Sequence, residues 1–233
     1  MRKLLILIPV YNEEKTTEEL LKRVFAAKTP GWEKKILVVN DGSTDSTGKI
    51  LQKLQKKYNF VLATHKTNKG KGAAIKTALS LARNDLARLN VFLTQDADLE
   101  YDPQNYGTLL KAYDPNKHPV VYGSRNLGTT KRGYLLCHWT GRALSFIFNT
   151  LYSSNITDIN TGFKLFRADI IKDCDLQVDG FDFCHEVTAK ILKRGYKIKE
   201  VPITYNPRSW EEGKKVRPKD AWLDLWTTLK YRL

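Results

Sequence analysis

Apolar residues in the first half of this chain come in two alternating rhythms. Short dense runs at 3–8, 35–40, 60–64, 90–95 and 119–123 read as buried strands. Between them apolar positions recur at helical spacing: Leu20, Leu21, Val24 and Phe25, then Ile50, Leu51, Leu54 and Tyr58, then Ile75, Ala78, Leu79 and Ala82. Strands alternating with helices predict β-α-β units, and hence an α/β fold with a mostly parallel sheet flanked by helices. Ser43 and Asp45 stand where the second helix needs an N-cap, and Asp102-Pro103 suits the start of the fourth. After residue 125 the rhythm loosens into a basic, glycine-containing loop from Arg125 to Gly133, followed by an aromatic-rich helical segment at 134–152. A strand near 163–167, a helix at 183–194, a strand at 197–204, a second basic loop from Arg208 to Arg217 and a final helix after Pro218 complete the pattern. That last helix sets Trp222, Leu225, Trp226 and Leu229 on one face.

With 233 residues and no repeat or linker, the chain is read as a single domain, 1–233, with halves at 1–124 and 125–233. The net charge of +14 favours a polyanionic partner: nucleic acid, an anionic membrane surface or a phosphorylated substrate. Cys137, Cys174 and Cys184 show no C-x-x-C spacing, so neither a zinc site nor a disulfide framework is indicated, and a reducing cytoplasmic setting is expected. No apolar stretch is long enough to span a bilayer; the best candidate, Tyr134 to Tyr152, carries His138, Arg142 and Asn149. Without a secretory signal, Asn155-Ile156-Thr157 is read as a fortuitous glycosylation sequon.

The most informative segment is Gln95-Asp96-Ala97-Asp98-Leu99-Glu100, placed directly after the apolar run Val91-Phe92-Leu93-Thr94. Carboxylates two apart at the end of a buried strand repel one another and call for a counter-charge, for which a hard divalent cation is well suited. Ligands of open α/β sheets collect at the carboxyl ends of strands, and two more polar clusters fall there: Pro9-Val10-Tyr11-Asn12-Glu13-Glu14 and Asn40-Asp41-Gly42-Ser43-Thr44-Asp45. Each alone reads equally as turn and capping chemistry. Three on successive strand ends of one sheet point instead to a nucleotide grip beside a metal. Asn68-Lys69-Gly70-Lys71-Gly72 before a helix would permit close approach of a phosphate, or would serve as a tight turn; it is neither a Walker loop nor a dinucleotide fingerprint.

Taken together these motifs resemble glycosyltransferase family 2 with its GT-A fold, and within it the polyprenyl-phosphate branch that includes dolichyl-phosphate mannosyltransferases. The resemblance also runs through Tyr122-Gly123-Ser124-Arg125, Thr161-Gly162-Phe163-Lys164-Leu165-Phe166, Gly180-Phe181 with Glu186, and Arg208-Ser209-Trp210-Glu211-Glu212-Gly213-Lys214-Lys215. It implies that Pro9, Tyr11, Glu13 and Asp41 hold the donor's base and ribose, with Lys69 and Ala97 also lining the substrate. Asp96, Asp98 and Glu100 would face Mg²⁺ or Mn²⁺ and the diphosphate. Arg125, Arg132, Arg208 and Lys215 would face donor and acceptor phosphates, Asp98, Arg125 and Arg208 being the catalytic set. Glu186 would either support the site or anchor a helix.

The implied reaction is inverting, metal-dependent transfer of a hexose, mannose from GDP-mannose first, onto a polyprenyl or dolichyl phosphate. UDP-glucose or UDP-N-acetylglucosamine stands as the alternative donor. An anionic lipid phosphate needs no strong general base, in keeping with four histidines in no evident triad. The implied setting is peripheral, on the cytoplasmic face of an anionic membrane, through the 134–152 segment and the Trp222/Trp226 face, with room for a membrane-anchoring partner protein. Core packing is the competing account of both aromatic stripes. Asp182 stands where some relatives carry a basic residue. The first strand lacks the glycine-rich, Arg-containing signature of sugar nucleotidyltransferases, and Q-x-x-R-W of processive synthases is missing. Intact Asp41, Asp96 and Asp98 argue against a nucleic-acid-binding or scaffold protein on a retired transferase fold, so no nucleic-acid partner is expected.

Overall fold

The computed structural model describes residues 1–82, 89–128, 135–209, 211, 213, 215 and 218–233. Seven strands form one sheet: β1 Arg2–Val10, β2 Trp32–Asn40, β3 Val61–Thr64, β4 Val91–Thr94, β5 Val120–Ser124, β6 Lys164–Arg167 and β7 Ile198–Pro202, in the spatial order β3-β2-β1-β4-β6-β5-β7. All pairings are parallel except those of β6, which runs antiparallel to both β4 and β5. Both β6 and β7 come from beyond residue 124, so the sheet itself joins the two halves of the chain. The central strands are buried on both faces, which explains their continuous rather than alternating apolar runs.

Helices α1 Thr17–Ala26, α2 Thr47–Lys57 and α4 Tyr106–Ala112 cover one face of the sheet through Leu20, Val24, Leu51, Leu54 and Leu109. Helices α3 Lys71–Ala82, α6 Ala168–Lys172 and α7 Phe183–Lys193 cover the other through Ile75, Ala78, Ile171 and Val187. Helix α8 Pro218–Lys230 packs against α7 and against α5 Leu135–Tyr152. The expected strands and helices are all present with ends shifted by a few residues. Short α6 and the antiparallel sense of β6 are findings of the structure.

Pro9 does not end its strand: β1 continues to Val10, paired with Asn40. A proline is tolerated there because pairing with β4 stops at Leu7 and Thr94, so no neighbouring strand needs its missing N–H. Asp45 accepts from the Thr47 amide at 2.9 Å at the start of α2, whereas the Ser43 hydroxyl is turned to the Asn12 amide at 3.0 Å. Asp102 accepts from the Gln104 amide at 3.0 Å and caps a single 3₁₀ turn, Pro103–Asn105, that leads into α4.

Glu186, fully buried on α7, is a helix and loop anchor. Its carboxylate accepts from the Gln177 and Val178 amides at 2.7 and 2.9 Å, from Lys190 at 2.7 Å and from the Tyr231 hydroxyl at 2.8 Å. These donors hold it below the usual carboxylate range although burial pushes the other way. Replacing Glu186 by alanine leaves two amides without their acceptor, so we expect a loss of about 3 kcal/mol. Urea unfolding should show a lower midpoint with an unchanged slope.

Candidate functional site

The site is built by three turns at the carboxyl ends of β1, β2 and β4. The first two are stitched to each other. Asn12, in the left-handed region at φ 47°, accepts from the Thr44 amide at 2.8 Å. The Glu13 amide donates to the Thr47 hydroxyl at 2.8 Å, and the Ser46 amide to Glu14 at 3.0 Å. At the third turn, buried Gln95 bridges the Asp96 carbonyl and the Tyr106 hydroxyl, at 2.9 and 2.6 Å, and so fixes the chain on which Asp96 and Asp98 stand.

Asp96 forms an ion pair with Lys71, Nζ to Oδ1 at 2.5 Å. Its other carboxylate oxygen fills the space over Gly162, where an added Cβ would come within 2.1 Å. Asp98 accepts from the Glu100 amide at 3.1 Å and lies 3.7 Å from Arg208. Burial, followed by the charges of Asp96 and Glu100, pushes the Asp98 carboxyl up to about 7 against the opposing pull of Arg208.

One oxygen of Glu100 accepts from the Tyr205 hydroxyl at 2.5 Å and the other from the Arg208 amide at 2.7 Å, so it pins the segment that delivers Arg208. Of the three carboxylates expected to face a cation, Glu100 has both oxygens engaged within the protein, and Asp96 and Asp98 are the better placed to hold one. Among the described residues no three His, Cys, Asp or Glu side chains gather as a metal-holding group.

Arg208 and Lys215 arrive together from the segment between β7 and α8. Arg208 makes a two-pronged pair with Glu13 at 2.9 and 3.0 Å. Lys215 reaches Glu13 at 2.6 Å and also bonds the Tyr11 carbonyl. Glu13 is thus the counter-ion of this basic wall. Among the described residues, four carboxylates, Glu13, Asp96, Asp98 and Glu100, are paired with three cations, Lys71, Arg208 and Lys215, and Asp98 is the one that burial and its acidic neighbours push toward the protonated form. A divalent cation at Asp96 and Asp98 fits this crowding, and oxygen-only ligands suit Mg²⁺ or Mn²⁺.

For three of the expected site residues the structure shows these surroundings. Asp41 is buried, and its carboxylate accepts from the Lys69 and Gly70 amides at 3.0 and 2.8 Å and meets His65 at 2.6 Å, so it shapes the loop before α3. Arg125 is clamped to buried Asp158 by paired contacts of 2.7 and 2.6 Å and lies over the Tyr205 ring, and so holds the 158 turn. Lys69 is exposed, and the lysine of its motif that enters the site is Lys71. The glycines of that motif are not a phosphate cradle: a Cβ on Gly70 or Gly72 would stand 2.3 Å from the Asp179 or Val178 carbonyl oxygen, and the Gly72 and Ala73 amides donate to Gly180 and Asp179.

Pro9 and Tyr11 lie part-buried at the carboxyl end of β1, and Ala97 packs into the core. Arg132 lies outside the described residues. Lys71 is the residue that sequence reasoning passed over. The only signal for it was its place two residues before a run of small helix positions, where a side chain at the first turn points back toward the neighbouring strand ends. His185 is no general base: burial pushes it down to about 3, and its ring nitrogens are engaged by Thr228 and Asn160 at 2.7 Å each.

A mostly parallel sheet whose strand ends carry an acidic turn facing a basic wall fits a nucleotide-sugar transferase. The chain belongs to glycosyl transferase family 2, whose profile matches residues 5–175, and it is a glycosyltransferase. It is 32% identical over 216 residues to the polyprenol monophosphomannose synthase of Mycolicibacterium smegmatis, covering 88% of this chain and 77% of that one. It is 31% identical over 223 residues to the undecaprenyl-phosphate mannosyltransferase of Micrococcus luteus, covering 91% and 87%. The fold is shared with glucosyl-3-phosphoglycerate synthase of Mycobacterium tuberculosis, solved with Mn²⁺, UDP-glucose and phosphoglyceric acid, at a TM-score of 0.73 and 16% identity over 99% of this chain and 80% of that one.

The raised Asp98 pKa gives a signed expectation. The folded protein keeps a proton that the unfolded chain releases near pH 4, so the contribution of Asp98 to stability falls as pH rises from about 4 to about 7 and is flat above. Carboxyl-carbon NMR of the metal-free protein should show two aspartates titrating near 7, Asp98 and buried Asp224; the Asp98 signal is the one that responds to changes at the cleft. That signal should vanish in Asp98→Asn and move upward in Arg208→Ala.

Proposed function

We propose that this chain transfers a hexose, mannose from GDP-mannose first, onto a polyprenyl phosphate, with inversion at the sugar carbon and with Mg²⁺ or Mn²⁺. The observation that carries the reading is the crowded Asp96/Asp98 turn, where like charges raise the Asp98 carboxyl, faced by Arg208. Its support is the pair of relatives named for polyprenol monophosphomannose synthesis and undecaprenyl-phosphate mannosyl transfer. When bound at Asp96 and Asp98, the cation would neutralise charge on the departing diphosphate, a Lewis-acid role.

An oxygen of the lipid phosphate forms the new bond to the sugar carbon while the bond from that carbon to the nucleoside diphosphate breaks on the opposite face. The attacking oxygen is already anionic, so no proton has to be removed. The protein's contribution is alignment and charge stabilisation: Arg208, held 3.7 Å from Asp98, supplies positive charge beside the diphosphate, and Tyr11 with Pro9 borders the nucleoside. Lys215, bonded to the Tyr11 carbonyl and Glu13, closes that side.

The setting we infer is peripheral, at the cytoplasmic face of an anionic membrane. Among the described residues no helix is long and apolar enough to cross a membrane. Helices α5 and α8 pack together yet leave Trp139, Phe146, Trp222 and Trp226 exposed, at 64, 73, 71 and 61%. Large aromatic side chains with a basic excess suit a headgroup interface.

Incubating the protein with Mn²⁺, a panel of GDP- and UDP-sugars and a short polyprenyl phosphate should give a β-linked lipid sugar, with GDP-mannose the best donor. No lipid-linked product with any donor would refute the acceptor class. Asp98→Asn should lower turnover by about 100-fold or more while leaving the far-UV circular dichroism spectrum unchanged. For the membrane reading, Trp222→Ala with Trp226→Ala should weaken sedimentation with anionic vesicles and leave activity on a detergent-dispersed acceptor intact. Equal vesicle binding by wild type and the double variant would rule out α8 as the contact.

A further inference from the structure

Lys71 begins α3 directly after Gly70, whose φ of +101° is open to glycine and strained for other residues. Its backbone has little freedom. The preceding amides, Lys69 and Gly70, are held by Asp41, and the following ones, Gly72 and Ala73, donate to the carbonyls of Gly180 and Asp179. Because those carbonyls occupy the first amides of the helix, this loop has little backbone N–H to offer an anion. What it presents to the site is one ammonium on a four-carbon stem, anchored at its base and free to pivot at its tip.

The tip rests on Asp96 at 2.5 Å, with both side chains mostly out of solvent. Asp96 is also one of the two carboxylates suited to a divalent cation. An ammonium and a metal ion cannot take the same carboxylate oxygen, so occupation by one displaces the other. Nearby carboxylates are already matched: Glu13 by Arg208 and Lys215, and Glu100 by Tyr205 and the Arg208 amide.

We propose that Lys71 switches partners: it neutralises Asp96 in the empty site and, once a divalent cation takes Asp96, transfers its ammonium to the departing diphosphate opposite Arg208. This rests on the metal-dependent reading above and adds a residue to it. The consequence is a pair of effects of opposite sign. Removing the charge takes away the metal's competitor and also takes away a cation for the diphosphate, whereas a merely structural lysine would weaken both bindings together.

Mn²⁺ binding, followed by the electron paramagnetic resonance signal of free Mn²⁺, should be compared in wild type, Lys71→Met and Lys71→Gln, without nucleotide and with whichever of GDP and UDP binds wild type more tightly. Both variants should bind Mn²⁺ alone about fivefold more tightly. They should bind the nucleotide in the presence of saturating Mn²⁺ about tenfold more weakly. Lys71→Gln keeps a polar side chain, so it reports the same comparison if Lys71→Met is unstable. Normal wild-type binding with Mn²⁺ affinity lowered or unchanged in both variants overturns the partner switch alone. Absence of Mn²⁺ binding by the wild-type protein overturns the metal reading and the switch with it.

Discussion

Crowding of negative charge at the carboxyl end of β4 governs this molecule. Two aspartates two residues apart, on a turn that Gln95 and Tyr106 hold rigid, cannot both be ionised in a partly dry cleft without positive charge close by. The chain answers with cations brought from distant places: Lys71 from the start of α3, and Arg208 and Lys215 from the segment after β7. Much of the rest follows from holding those cations. Asp41 fixes the loop ahead of Lys71, Glu100 and Tyr205 fix the approach to Arg208, and Glu13 ties down the ends of both basic side chains.

The same geometry separates residues that touch the cleft from residues that place them. Arg125 with Asp158, Lys164 over the Tyr122 ring at 3.9 Å, and His185 between Thr228 and Asn160 are all polar, buried and near the site, yet each is satisfied inside the protein. Lys164 donates to the Ile159 carbonyl at 2.7 Å, and burial brings it down to about 8. They stiffen the 156–162 turn, which carries Gly162 against Asp96. Satisfied polar networks of this kind favour a single arrangement, because disturbing one member leaves the others buried and unpaired.

Most of the fold was legible in the sequence because buried parallel strands and amphipathic helices carry strong local periodicities. The three strand-end clusters were legible for the same reason: each follows immediately on an apolar run. Pairing across the sheet was not. Nothing local tells that 164–167 runs antiparallel between β4 and β5, and the same limit hid the partners of charged residues. Glu100 reads as a third ligand beside Asp98, but its direction is decided by Tyr205, 105 residues away. Lys69 and Lys71 are equivalent in composition, and only the start of α3 determines which one faces the cleft. Arg125 looks like a free cation until Asp158 is brought beside it.

The pairing of Glu13 with Arg208 spans 195 residues, nearly the whole chain. Closing so long a loop is entropically costly before the sheet exists, so this contact belongs among the last to form. During synthesis, β1 to β4 and their acidic turns emerge well before the segment that neutralises them. A nascent chain therefore carries its carboxylates without Arg208 and Lys215, and a complete cleft exists only once the carboxyl-terminal third has folded back across the first strand. Final assembly of the cleft thus doubles as a checkpoint on completion of the fold.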